Sequence, residues 1–167
     1  SEWLKLAAGD GLLEGELEKY YDLFKNADSL GSLIQIEEGT TLVPTDVLLQ
    51  KLDAALAKEK AIGDPVAEAF GETASGVLKA VDYLRRKDFH FVITNPPFLA
   101  RGRQSLAIKT ISELYFESAK NDLATCFLQR CKLFTQRDSV FALVSPQNWL
   151  FLPNYKKFRK EILVKNA

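Results

Sequence analysis

Methionine is absent from all 167 residues, and the chain begins at Ser1. No translation start lies within it, so the expectation is a segment of a longer protein. Soft metal ligands are scarce as well: the chain holds two cysteines and one histidine, His90. That is too few to complete a four-coordinate structural zinc site, so no metal is expected. Cys126 and Cys131 fall in a stretch with helical periodicity, where five positions separate them by about 7.5 Å along the axis and turn them to different faces. A disulfide between them is not expected. No apolar run approaches the roughly 20 residues that cross a bilayer, and no basic stretch followed by an apolar one reads as a signal peptide. The expected setting is therefore away from membranes, in the cell interior. Internal repeats and low-complexity tracts are lacking too.

What is present is an ordinary globular composition, 47% apolar and 26% charged. The charges cancel overall but segregate along the chain. Residues 1–90 carry 10 Lys and Arg against 17 Asp and Glu, whereas residues 91–167 carry 12 against 5. A basic second half suits a polyanionic partner such as nucleic acid, although solvated helix faces produce the same count.

Periodicity divides the chain near residue 88. Before it, Leu17, Tyr20, Tyr21 and Phe24 mark an amphipathic helix over 14–28, and residues 32–36 read as a strand or an extended arm before a loop over 37–44. Asp46 is expected to cap a helix reaching about residue 61, Gly63 to close it, and Asp64-Pro65 to start another that continues through Leu84. After residue 88 the character changes. Phe89-His90-Phe91-Val92-Ile93-Thr94 is a β-branched and aromatic run that stops at Asn-Pro-Pro, the signature of a buried strand feeding a sharp loop. Helices are expected over about 106–120 and 122–136. A second buried strand follows over 140–144, and Pro153 opens a last amphipathic helix through Leu163. Strand, helix, strand and helix in that order predict an α/β fold with a parallel sheet, whose binding sites lie at the carboxyl ends of strands.

Asn95-Pro96-Pro97-Phe98 stands at such an end. A tetrad of this type arises by chance in roughly one chain in two hundred of this length. Its chemistry suits an amine substrate. The exocyclic amine of adenine is a poor nucleophile, because its lone pair is delocalised into the ring. The Asn95 side-chain oxygen and the Pro96 carbonyl can each accept one amine hydrogen and localise that lone pair. Two successive prolines fix two φ angles and preorganise those acceptors. Phe98 offers a ring for a base rotated out of a duplex. The competing reading is a proline-stiffened loop with Phe98 in the core.

Phe91-Val92-Ile93-Thr94-Asn95-Pro96-Pro97-Phe98, then Asp122-Leu123 opening a helix with Phe127 and Leu128, then Val144-Ser145-Pro146-Gln147-Asn148-Trp149-Leu150-Phe151-Leu152 resembles the adenine-specific DNA N6-methyltransferases of large restriction-modification and BREX-type phage-defence systems. The resemblance covers about residues 88–165, with a weaker match over residues 24–36. It implies a partial Rossmann-like methyltransferase fold, with residues 88–167 as the catalytic part and residues 1–87 as a mainly helical insertion or lid. It further implies Asn95, Pro96, Pro97 and Phe98 as the target-base motif, S-adenosylmethionine as methyl donor, and double-stranded DNA with a flipped adenine as substrate. The remaining domains of the parent protein would be its partners, in the cytoplasm of a bacterium or archaeon.

The family's glycine-rich cofactor loop follows an earlier strand, and no such strand and loop can be read here. Gly9-Asp10-Gly11 is the nearest candidate, and it sits beside helix-like sequence. Cofactor-binding residues therefore go unassigned, and the chain by itself is expected to be inactive. Arg101 and Arg103 are candidate phosphate contacts, as are Lys156, Lys157, Arg159 and Lys160, although exposed basic residues are common on solvated loops and helices. His90 reads as a strand residue and Trp149 as packing. The alternatives are a methyltransferase acting on a protein glutamine or an RNA base, and a non-catalytic module that retained the fold.

Overall fold

A computed structural model describes residues 10–37, 43–62 and 65–164. The chain divides into two compact units, one formed by Ser1–Asp28 and Ile34–Arg85, the other by Ser29–Leu33 and Arg86–Ala167.

The first unit is helical among its described residues. Helix α1 spans Gly11–Phe24 and begins where the Asp10 carboxylate accepts from the Leu12 and Leu13 amides at 3.1 Å each, satisfying two of the donors a helix start leaves free. The turn of helix α2, Ala27–Leu30, follows it, and residues 34–37 belong to no helix or strand. Of the strand or extended arm read over 32–36, no strand forms; its first two residues complete the short 3-10 turn Gly31–Leu33, with Gly31 at φ 50°. Helices α3, Thr45–Ile62, and α4, Pro65–Arg85, pack on α1. Asp46 lies inside the first turn of α3 rather than ahead of it. Gly63, Asp64 and the expected cap at that point lie outside the described residues. Leu13, Leu17 and Tyr20 of α1, Leu48 and Leu52 of α3, and Ala74, Leu78 and Val81 of α4 form one core. Each fully buried aliphatic side chain there contributes about 1.5–3 kcal/mol.

The second unit carries the sheet. Strand β1, Phe89–Thr94, lies parallel to β2, Thr135–Leu143. Parallel neighbours require a long crossover, and residues 95–134 supply it through helices α5, Leu106–Tyr115, and α6, Leu123–Phe134. Helix α5 is shorter than its apolar spacing suggests. It ends at Tyr115, and the Phe116 amide caps it by donating to the Ser112 carbonyl at 3.1 Å. Helix α6 also stops early, and β2 follows without an intervening loop. Phe89 pairs with Thr135 but Phe91 pairs with Val140, so β2 carries extra residues where β1 has none. Asp138 absorbs that bulge at φ 64°, a left-handed conformation that a short polar side chain tolerates better than most.

Burial of the strands differs from expectation. Val92, Thr94, Phe141 and Leu143 are partly covered, and α6 packs on the pair. Phe91 is 73% exposed and Ile93 81% exposed, beside an exposed Val140. Apolar periodicity foretells two covered faces of a parallel sheet, but among the described residues only one face is covered. Beyond β2 the chain forms the 3-10 turns Gln147–Leu150 and Pro153–Tyr155, a single helical turn α7, Lys156–Arg159, and a wider π-type turn, Lys160–Val164. The expected continuous helix from Pro153 is thus broken into three windings. Phe158 is fully buried and meets Trp149 edge-on with centroids 5.4 Å apart.

Candidate functional site

The pairing of Thr94 with Leu143 brings the carboxyl ends of β1 and β2 side by side, so the loops that begin at Asn95 and Val144 leave from neighbouring positions. In the first loop Pro96 is buried while Asn95 and Pro97 are exposed and Phe98 is 54% exposed. Phe98 is therefore not packed in the core of the described residues, where the competing reading of the tetrad places it. An open side-chain amide and an open ring flank a rigid dipeptide whose first ring is seated in the protein. Such a motif can present hydrogen-bond acceptors and a stacking face to a planar amine without first having to order itself.

The loop is tied down just past Phe98. The Leu99 carbonyl accepts from the Leu123 amide at 3.0 Å and from Gln104 Nε2 at 3.1 Å. Ala100 bridges Asp122 in antiparallel fashion, and the Arg101 amide donates to the Asn121 carbonyl at 2.9 Å. Residues Arg101–Arg103 form a 3-10 turn before Ser105 caps α5, its Oγ accepting from the Ile108 amide at 3.4 Å. Asp122 caps α6 through the Ala124 amide at 2.9 Å, as its position ahead of Leu123 suggests.

Arg101 and Arg103, adjacent in the predicted phosphate-contact region, fare differently. Arg101 pairs with the Glu113 carboxylate and lies 3.4 Å from Ser112 Oγ, so its guanidinium serves the packing of α5. Arg103 is exposed on the turn. Among the four basic residues over 156–160, Arg159 is no solvated bystander: its Nη1 donates to the Trp149 and Leu152 carbonyls, each at 2.8 Å. Lys157 pairs with Glu117 at 2.9 Å, which raises the lysine and lowers the carboxyl from their ordinary ranges. Lys156 and Lys160 are exposed. His90 is exposed on β1, with its Nε2 2.9 Å from Gln136 Nε2.

The second loop is held by Trp149, whose indole N–H donates to Ser145 Oγ at 3.0 Å, and by Arg159. Leu150, Phe151 and Leu152 remain exposed on it. Apolar surface thus follows both strand ends, Phe98 after β1 and residues 150–152 after β2.

Beneath the site, α6 supplies a dense buried layer. Burial pushes the Cys126 thiol up to about 12 and raises Cys131 as well, and both thiols are free. Burial also raises the Tyr155 phenol and lowers the Arg130 guanidinium to about 10. Arg130 is nonetheless satisfied: its Nε donates to the Ser32 carbonyl at 2.8 Å and its guanidinium lies 4.1 Å above the Phe134 ring. Sequence reasoning missed Arg130 and Gln104, and read Arg159 only as a basic helix-face residue; all three bond to backbone carbonyls, which leave no residue-type pattern.

Of the Gly9-Asp10-Gly11 candidate, Asp10 caps α1 and Gly11 is its first residue, whereas Gly9 and the residues before it lie outside the described residues. No group of three or more His, Cys, Asp or Glu able to hold a metal ion occurs among the described residues, and no helix there is long and apolar enough to cross a membrane.

The family model for the Eco57I restriction-modification methylase matches residues 3–167 of this chain. The chain is also similar to a protein of Lacticaseibacillus casei (strain Zhang) described as adenine-specific methyltransferase PglX, with 27% identity over 70 residues. That match covers 42% of this chain and 6% of the relative.

Proposed function

Because this chain belongs to the Eco57I restriction-modification methylase family, we propose that it forms the target-base side of an active site that methylates the N6 amine of adenine in DNA. On this reading residues 88–167 are the catalytic part of a Rossmann-like methyltransferase domain, and β1 and β2 are neighbouring strands of its sheet. Residues 1–87 are a helical insertion or lid. S-adenosylmethionine supplies the methyl group, and no residues of this chain are assigned to hold it. Double-stranded DNA with one adenine extruded is the substrate.

The observation that carries this reading is the exposure pattern of the tetrad: Asn95 and Phe98 open, Pro96 buried, at the carboxyl end of a parallel strand. Asn95 Oδ1 and the Pro96 carbonyl accept the two amine hydrogens, which turns the nitrogen lone pair out of conjugation with the ring. Both acceptors meet a positive charge that grows as the amine reacts, so their preorganisation lowers the barrier without a strong base. Phe98 stacks on the extruded base and offsets part of the few kcal/mol spent on unstacking it.

The test is methyl transfer to adenine in duplex DNA by the longer protein, compared with Asn95→Ala. A fall in kcat of about 100-fold with DNA affinity kept supports the reading, in line with the loss of one preorganised hydrogen-bond partner. Undiminished transfer by Asn95→Ala, or transfer to a protein glutamine or RNA in place of adenine in DNA, overturns it.

A further inference from the structure

We propose that Gln104 is the positioning residue of the Asn95–Phe98 loop, an inference that rests on the function proposed above. A motif that grips an amine with two acceptors works only if those acceptors hold still, and misplacement by about 1 Å costs on the order of 100-fold in rate. The prolines stiffen the loop internally but do not fix where it sits. That is decided at Leu99, the first residue after Phe98. Its carbonyl has two lone pairs: one takes the Leu123 amide at 3.0 Å, the other Gln104 Nε2 at 3.1 Å. The second N–H of the same amide group reaches the Lys120 carbonyl at 3.5 Å. One side chain therefore couples the end of the tetrad to the turn that starts α6.

Gln104 is 4% exposed, so these bonds are sheltered from water and hold their geometry better than exposed ones would. Its Oε1 is buried with no hydrogen-bond partner among the described residues. A leucine of similar volume would fill the space without stranding a buried oxygen, so packing alone argues against an amide here. What the amide adds is direction: two N–H groups aimed at two carbonyls, fixing the register of the loop against α6. Gln104 touches neither substrate nor donor on this reading; it acts through Leu99.

The experiment compares Gln104→Leu and Gln104→Asn with the unaltered longer methyltransferase, using duplex DNA with adenine at the target position for turnover and a second duplex with 2-aminopurine there, which lacks the 6-amino group and serves only for fluorescence. The leucine keeps volume and loses both donors; the asparagine keeps the amide but falls one methylene short. The expected result for each folded variant is kcat lower by about 10–100-fold with KM for DNA within about threefold. Fluorescence of the extruded 2-aminopurine should also rise, because its stacking on Phe98 loosens. Should Gln104→Leu fail to fold, the asparagine variant decides alone. Unchanged kcat in a folded variant, or a rise in KM with kcat kept, overturns the proposal. Asn95→Ala run alongside separates the two readings. If it retains full transfer, the proposed function fails; if it loses transfer while Gln104→Leu does not, only the positioning role fails.

Discussion

Arg159 holds the loop after β2 from beneath, donating through one nitrogen to the carbonyls of Trp149 and Leu152 at 2.8 Å each. Hydrogen bonds from a charged donor are each worth about 1.5–3 kcal/mol, and Arg159 is partly covered. Arg159→Ala is expected to destabilise the chain by about 2 kcal/mol, read as a lower denaturant midpoint with unchanged slope. Arg159→Lys restores part of that, since an ammonium reaches one carbonyl more easily than two.

Phe98 should divide stability from function. Its ring is half exposed, so Phe98→Ala is expected to shift folding free energy by less than about 0.5 kcal/mol. On the proposed reading the same change removes about 1–3 kcal/mol of base stacking in the complex. Thermal melting and single-turnover transfer by the longer protein, measured on the same preparation, check both halves.

The buried thiols predict an alkaline limit. Burial pushes Cys126 up to about 12 and raises Cys131 in the same direction. A thiol whose folded value lies above its unfolded one adds stability that is complete below the unfolded value, about 8.5, and is lost as pH rises towards 12. Stability should therefore decline above about pH 9. At pH 8 a thiol-specific reagent should label Cys126 at least about 100-fold more slowly in the native chain than in denaturant, because so little thiolate exists.

Ile93 should respond according to its surroundings. It is almost wholly exposed on β1, so in this chain alone Ile93→Thr is expected to change stability by less than about 0.5 kcal/mol and to raise solubility. In the longer protein the same substitution should cost about 2 kcal/mol, as expected when a parallel sheet buries both faces. Equal effects in the two settings would show that the face stays open.

The sequence disclosed the elements whose signals are local. Asp122 ahead of an apolar periodic stretch marked the start of α6, and Phe89–Thr94 ending at two prolines marked β1. It was less informative where long-range geometry decides. Residues 135–139 carry no strand alternation, since their place in β2 includes a bulge at Asp138. Phe91 and Ile93 read as buried because an apolar run reveals that faces are apolar, not how many of them are covered. Phe98 read as an open ring after a strand end, with a place in the core as the competing reading, because a lone aromatic after two prolines carries no signal of its cover. Gln104 and Arg130 were illegible, and Arg159 was read only as a basic residue of a helix face, for a common reason: each meets a main-chain carbonyl, which every residue type provides.

Pro96 alone of its tetrad is enclosed. On the proposed reading its ring is therefore subject to two demands, fit below and aim above, whereas its exposed neighbours are free of the first. In a library covering all four positions, changes at 95, 97 and 98 should leave yield intact and sort by turnover. Changes at 96 should first thin out the soluble material.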